Sequence, residues 1–354
     1  MKIILATDSY KGCLTSEEVE NTLAEHLSGK GAETICLPMS DGGEGMLEAF
    51  ISSMGGEIRE TEVHDPLMRP ITARYGITTD GTAIIETAKA CGITLLSPEE
   101  RNPMKTTTYG VGEIIAEAID RGCRNFITGL GGSGTSDCGK GMIEALSHRL
   151  TERGTVEELA YSVMSECRFT LASDVRNPLY GPYGAAYTFA AQKGASSEMI
   201  KILDEQAKDF ALLSARLLGR DTSSTPGAGA AGGLGYAFIQ YFGATVKSGA
   251  DLLLDTIDFD RKIQGADIII TGEGQSDKQT LMGKLPERIL HRGLKYDIPV
   301  WLVSGRINHR EDLLSAGFAR AEKITPDTMK TSEAIIPDNA RSNLRTWVDR
   351  NFPV

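Results

Sequence analysis

The sequence predicts an α/β protein of two domains. One is a Rossmann- or flavodoxin-like parallel-sheet domain formed by both chain ends; the other is a mixed α/β domain inserted between them. Three observations predict this. Strands and helices alternate at the start of the chain, short strands without intervening helices take over near residue 60, and buried strands with a helix between them return after residue 265. A chain of 354 residues also exceeds one ordinary core. The boundaries read from this texture are 1–60 plus 255–354 for the outer domain and 61–254 for the inserted one.

"KIILAT" (2–7) reads as a buried first strand. "TSEEVENTLAEHL" (15–27) reads as a helix: Thr15 and Glu18 have capping-box spacing, and Val19, Leu23 and Leu27 recur on one face. "ETICL" (33–37) is a second strand, and Leu47, Phe50, Ile51 and Met54 stand at helical spacing after it. "EIRETEV", "ITARYGI" and "TAIIE" are short strands divided by turn residues, which implies an antiparallel or mixed piece. Val111, Ile114, Ile115, Ala118 and Ile119 mark a helix; "RNFIT" and "RFTLAS" mark strands. Residues 198–218 form the clearest helix, through Ile202, Leu203, Phe210, Leu213 and Leu217. "TPGAGAAGGLGYAFIQYFG" (225–243) is rich in small residues and suggests close packing against another backbone. "ADIIIT" and "IPVWLVSG" read as buried parallel strands around the helix "LPERILHRG", and a last helix lies near "NARSNLRTWVDRNF".

A net charge of −11 argues against a nucleic-acid partner, which would want a basic stripe. It leaves nucleotides open, since one pocket with a few cations is enough. The six cysteines are scattered without a C-x-x-C pair, and no H-x-x-x-H occurs, so a zinc site or disulfide framework is not expected. Reduced thiols, the absence of a signal-peptide pattern in "MKIILATDSYKG" and the lack of a long apolar run together suggest a cytoplasmic protein with no membrane role.

"GLGGSGTSDCGKGM" (129–142) fits three templates in part. Gly134, Gly139 and Lys140 spell most of a Walker A loop, but Gly141 stands where Ser or Thr should hold magnesium. Gly129, Gly131 and Gly134 match a dinucleotide fingerprint, yet no acidic residue closes a second strand about 20 residues on. The third reading is a flexible turn. What the residues favour is an anion-binding loop of its own kind, with many free N–H groups, little bulk, the hydroxyls of Ser133 and Thr135, and Asp137 to orient a metal or a base.

Other strand exits carry charge as well. "TDSYKG" puts Asp8 and Lys11 after the first strand, where α/β sheets gather ligands. "SDGGEG" puts Asp41, Gly42 and Gly43 before a helix start, as an anion site or as a plain N-cap. "SDVRNPLYGPYGAAYTFAAQKGA" holds Asp174, Arg176 and Lys193, an acid with two cations that suits phosphoryl transfer or a structural ion pair. "TGEGQSDKQTLMGK" repeats the combination with Glu273, Asp277 and Lys284.

In order along nearly the whole chain, "DSYKGCLTSEEV", "PMSDGGEGMLEAF", "DPLMRPI", "RNPMKTTTYGVGE", "GLGGSGTSDCGKGM", "SDVRNPLYGPYGAAYTFAAQKGA", "PGAGAAGGLGYAF" and "ITGEGQSDKQTLMGK" resemble the bacterial glycerate kinase family, of the glycerate 2-kinase type. Gly134, Ser136, Cys138 and Ala191 depart from the residues usual in similar proteins. The resemblance implies ATP-dependent phosphorylation of D-glycerate, on the 2-hydroxyl, with Mg2+ and a cleft between two α/β domains; a homodimer is compatible with it. Phosphorylation of the 3-hydroxyl, a dinucleotide-dependent oxidoreductase and a non-catalytic sensor of small acids are the rival readings. Under the resemblance, Lys11, Asp41, Gly42, Gly43 and Arg176 are expected at the glycerate. Gly131, Gly132, Ser133, Thr135 and Asp137 are expected at the nucleotide, and Asp8 and Asp277 at the metal. Asp174 would orient the hydroxyl, and Lys193 and Lys284 would neutralise the transferred group.

Overall fold

The computed structural model describes the chain except Lys11, Asp41, Glu44, Ala160, Tyr161, Pro353, Val354 and the side chain of Glu157. The chain opens with β1 (Lys2–Leu5) and β2 (Glu33–Cys36). Six strands follow: β3 (Gly56–His64), β4 (Pro70–Thr78), β5 (Thr82–Glu86), β6 (Asn125–Gly129), β7 (Arg168–Ala172) and β8 (Thr245–Lys247). The last part adds β9 (Ile268–Thr271), β10 (Gln275–Ser276), β11 (Val300–Ser304), β12 (Arg306–Ile307) and β13 (Arg320–Lys323). The protein is α/β, with two compact units: Met1–Asp41 with Ala250–Val354, and Gly42–Gly249.

The unit edges fall at 41/42 and 249/250, where the sequence texture suggests 60/61 and 254/255. The helix Met46–Met54 accounts for the first difference. It lies on the second unit's sheet: a Cβ added to Gly76 of β4 would stand 2.7 Å from Ile51 Cδ1 and 2.8 Å from Leu47 Cδ1. The Leu47 amide also donates to Glu86 at the end of β5 (2.9 Å).

In the first unit five parallel strands stand in the order β13-β11-β9-β1-β2. Counted along the chain this is 2-1-3-4-5, the flavodoxin-like order. Ile3, Ile4 and Leu5 of β1 and Ile269 and Ile270 of β9 are fully buried, as expected for a parallel sheet covered on both faces. The helix Ser16–Ser28 packs Val19, Leu23 and Leu27 into this core and has the expected capping box: the Glu18 amide donates to Thr15 Oγ1 (3.1 Å), and the Thr15 amide to Glu18 Oε2 (2.9 Å). Leu344, Trp347 and Val348 of the helix Pro337–Asn351 belong to the same core.

The second unit holds a six-stranded sheet in the order β3-β4-β5-β6-β7-β8. The β3–β4 and β4–β5 pairs are antiparallel, and the rest are parallel. Phe126 of β6 and Phe169 of β7 stack with centroids 4.6 Å apart in its core. The small residues at 225–243 do bring backbones together. Ala231, Gly232 and Gly233 take left-handed conformations (φ 51°, 65° and 89°), and a Cβ on Gly232 would lie 2.1 Å from the Thr135 carbonyl.

Candidate active site

The chain's unusual residues collect in two places, both at the carboxyl ends of parallel strands. In the first unit the strand order reverses between β1 and β9, and such a switch point is where open α/β sheets leave a crevice. Asp8 follows β1, is 4% exposed, and its amide donates to the Gly272 carbonyl beyond β9 (2.8 Å). The Asp8 carboxylate accepts from the Ser9 amide (2.7 Å). A cavity of about 300 Å³ opens at this edge, lined among others by Ser9, Tyr10, Glu273, Lys284, Arg306 and Ile324.

Glu273 is the acid of this cavity. Ser276 Oγ (3.1 Å) and Thr280 Oγ1 (2.6 Å) donate to its Oε1, and the Lys284 ammonium donates to its Oε2 (3.1 Å). Lys284 is the N-cap of the helix Leu285–Lys295, and its carbonyl accepts from the Glu287 (3.1 Å) and Arg288 (3.2 Å) amides. Asp277 lies elsewhere. Its Oδ1 accepts from the Gln279 amide (2.8 Å) as the cap of a short turn, and it borders a separate hollow with Asn308 and His309. Of the two acids in "TGEGQSD", the one chosen from sequence as a metal holder serves the local backbone, and Glu273 faces the cavity with Lys284.

In the second unit, three glycine segments converge beyond β6 and β7. A Cβ on Gly129 would lie 2.7 Å from the Gly42 carbonyl, and one on Gly131 would lie 3.0 Å from Gly43 Cα. Gly42, at φ 91°, stands against Ala172 and Gly249. Gly232 touches Thr135, and the Cys138 amide donates to the Gly232 carbonyl (3.1 Å). The spacing of these segments in sequence gave no sign that they share one strand edge.

Two charged side chains hold this loop. Lys193, 2% exposed, donates to Ser133 Oγ (2.9 Å) and to the Thr135 carbonyl (2.6 Å). Burial lowers its pKa to about 8. Asp137 Oδ2 accepts from the Thr108 amide (2.8 Å), Thr108 Oγ1 (2.8 Å) and the Gly141 amide (3.1 Å), and its Oδ1 accepts from the Gly139 amide (3.1 Å). Lys193 and Asp137 thus shape the loop from within. Thr135 Oγ1 is buried without a hydrogen-bond partner among the described residues. Asp174 and Arg176 follow β7 and are exposed. Lys11 and Asp41 lie outside the described residues.

The family model described as the glycerate kinase family matches residues 3–352. The chain belongs to that family. A glycerate kinase of Bacillus subtilis (strain 168) is 40% identical over 327 residues, covering 87% of this chain and 86% of the relative. A glycerate 2-kinase of Escherichia coli (strain K12) is 37% identical over 326 residues, with 87% and 86% covered. The crystal structure assigned to glycerate kinase 2 of Salmonella typhimurium LT2 superposes with a TM-score of 0.83 at 35% identity, covering 99% of this chain and 97% of that one. Membership in the glycerate kinase family makes the chain an enzyme of the kinase type. The oxidoreductase and sensor readings fall away with it.

Among the described residues no three His, Cys, Asp or Glu side chains are grouped to hold a metal ion. Mg2+ bound with a nucleotide would not need such a cage, because it takes most of its ligands from phosphates and water and one or two from carboxylates. Of the two acids expected at a metal, Asp8 is buried at a strand exit and accepts from the Ser9 amide, and Asp277 caps a short turn through the Gln279 amide. No helix among the described residues is long and apolar enough to cross a membrane.

Proposed function

We propose that this chain transfers the γ-phosphoryl group of ATP directly to the 2-hydroxyl of D-glycerate, giving 2-phosphoglycerate. The observation that carries the position is the 37% identity, over 87% of the chain, to a protein named glycerate 2-kinase. What supports phosphoryl transfer is the chemistry of the two strand edges, which combine acids, cations and tightly turned glycine backbone.

In this reading Asp174 accepts a hydrogen bond from the glycerate hydroxyl and aligns it for in-line attack. The amides of Gly42 and Gly43, with Lys11 and Arg176, receive the glycerate carboxylate. Asp41 takes a hydroxyl of the same substrate. Amides of Gly131, Gly132 and Ser133 face phosphate oxygens, on a loop whose shape Lys193 and Asp137 maintain. Lys284 is the cation left to meet the charge of the transferred group, since Lys193 is turned into the loop. Bound Mg2+, held by Asp8, would offset the negative charge of the phosphates. The substrates of the proposal are D-glycerate and ATP, and the proposed compartment is the cytoplasm.

The test is ADP release by purified protein with MgATP and D-glycerate, with phosphorus NMR of the product. A phosphomonoester on carbon 2 supports the reading. An ester on carbon 3 keeps the kinase and moves the attacking hydroxyl. No turnover with folded protein overturns the proposal.

A further inference from the structure

The cavity at the switch point of the first unit is too large and too apolar for a three-carbon acid. It encloses about 300 Å³, at the lower end of the usual range for small-molecule sites. A glycerate-sized ligand would leave most of it empty. Ile324, Ala334, Ile335 and Ala340 form an apolar wall, which offers nothing to a small anion covered in hydroxyls. The polar part of the lining is Glu273, Lys284 and Arg306. Lys284 is paired to Glu273, whereas the Arg306 side chain has no ion pair among the described residues. Two cations against one carboxylate leave this part positive in a chain of net charge −11. Ser9 Oγ, on the same lining, is buried with no hydrogen-bond partner among the described residues. The apolar side chains suit a flat, weakly polar ring, and the cations suit phosphate.

We propose that this cavity seats the nucleoside end of the phosphoryl donor, an adenine nucleotide, with its base against Ile324 and Ala334 and its phosphates toward Arg306 and Lys284. The proposal rests on the kinase reading above and deepens it, by assigning the nucleoside to the first unit. The location agrees with the rule that open parallel sheets take nucleotides beyond the carboxyl ends of the strands flanking the switch point.

A thiol on the lining provides the test. Cys13 borders the cavity and is half-buried; Cys91, Cys123, Cys138 and Cys167 are buried. Cys36, the remaining half-buried cysteine, does not line the cavity; burial raises the pKa of both thiols, that of Cys36 to about 11. The wild-type protein is treated with N-ethylmaleimide alone, with MgADP or with D-glycerate, and modification of each cysteine is followed by peptide mass spectrometry. Equilibrium dialysis under the same conditions reports whether ADP binds. Saturating MgADP is expected to slow Cys13 modification by about fivefold or more, leave Cys36 unchanged, and have no counterpart with D-glycerate. Bound ADP without protection of Cys13, or protection by D-glycerate instead, overturns the assignment and leaves the kinase reading standing. No ADP binding overturns both. A second measurement uses Arg306→Ala, which is expected to raise KM for ATP by about tenfold with KM for D-glycerate within about twofold. An equal rise in both, or a rise for D-glycerate alone, counts against the assignment.

Discussion

The Lys193 ammonium donates to the Thr135 carbonyl at 2.6 Å from a position only 2% exposed. A buried cation held this way works against itself: it fixes the loop, and it bears the cost of desolvation. Replacement by the uncharged Lys193→Met should therefore change stability little near neutrality while loosening residues 133–135. We expect kcat to fall on the order of a hundredfold with the fold retained. A circular dichroism melt alongside steady-state kinetics checks both halves.

The same residue carries a pH signature. Its pKa is about 8 in the folded protein against 10.5 unperturbed. Below pH 8 the lysine is charged whether the chain is folded or not, and the penalty is complete. Between those values the unfolded chain binds more protons, so the lysine's contribution to stability rises with pH. Urea unfolding across this window should show wild type gaining on Lys193→Met by up to ~3 kcal/mol. Parallel curves would mean that the ammonium is not desolvated.

Asp137, expected at the nucleotide, accepts five hydrogen bonds from Thr107, Thr108, Gly139 and Gly141. Asp137→Ala leaves the amides of Thr108, Gly139 and Gly141 without this acceptor. The expected loss is about 2–4 kcal/mol in chemical denaturation, with activity lost as the loop opens. A variant of wild-type stability with only a raised KM for ATP would restore the ligand role.

Asp8 and Asp277 part company in their surroundings, and a magnesium titration separates them. Asp277→Asn keeps its cap to Gln279 and should leave the Mg2+ concentration for half-maximal rate unchanged. Asp8→Asn should raise that concentration by about tenfold or more. The reverse pattern would return the metal to Asp277.

Glu20 is fully buried in the helix Ser16–Ser28, with Oε1 accepting from the Thr7 amide (2.8 Å) and Oε2 unpartnered among the described residues. Desolvation pushes its pKa well above the ordinary 4.5. A raised carboxyl favours the fold in acid and loses that advantage as pH rises toward its folded pKa. Glu20→Gln should therefore gain on wild type in thermal melts as pH rises above the ordinary 4.5 toward the raised folded pKa. A constant difference across that range would count against a protonated Glu20.

Most of the scaffold was legible because its strands are continuous apolar runs and its main helices carry apolar stripes. Thr15, Glu18, Val19, Leu23 and Leu27 foretold one helix from cap to core. β8 and β13 were not anticipated. Both are short edge strands, and β13, "RAEK", buries only Ala321 completely, so neither has an apolar signature. Within the site, strand-exit position led to Asp8 and Lys284, but spacing could not tell which of Glu273 and Asp277 turns inward. Glu20 had a readable signal: it stands three and seven residues before Leu23 and Leu27, on the buried face. Lys193 had a weaker one, a single cation among the small residues of "FAAQKGA". The meeting of Gly42, Gly131 and Gly232 depends on long-range strand pairing, which no local pattern encodes.

The pairing of β1 with β9 has a consequence for synthesis. β1 leaves the ribosome well before β9, its neighbour on one side, which is made only after the whole second unit has emerged. At about 5–20 residues per second, the roughly 200 intervening residues take about 10–40 s. During that time β1 and β2 carry an apolar strand surface with one open edge, while the second unit, continuous in sequence, already has all its strands. A nascent chain arrested before Ile268 should therefore hold a collapsed middle and an unpaired beginning. The first strand is thus the segment on which a trigger-type chaperone would be expected to dwell longest.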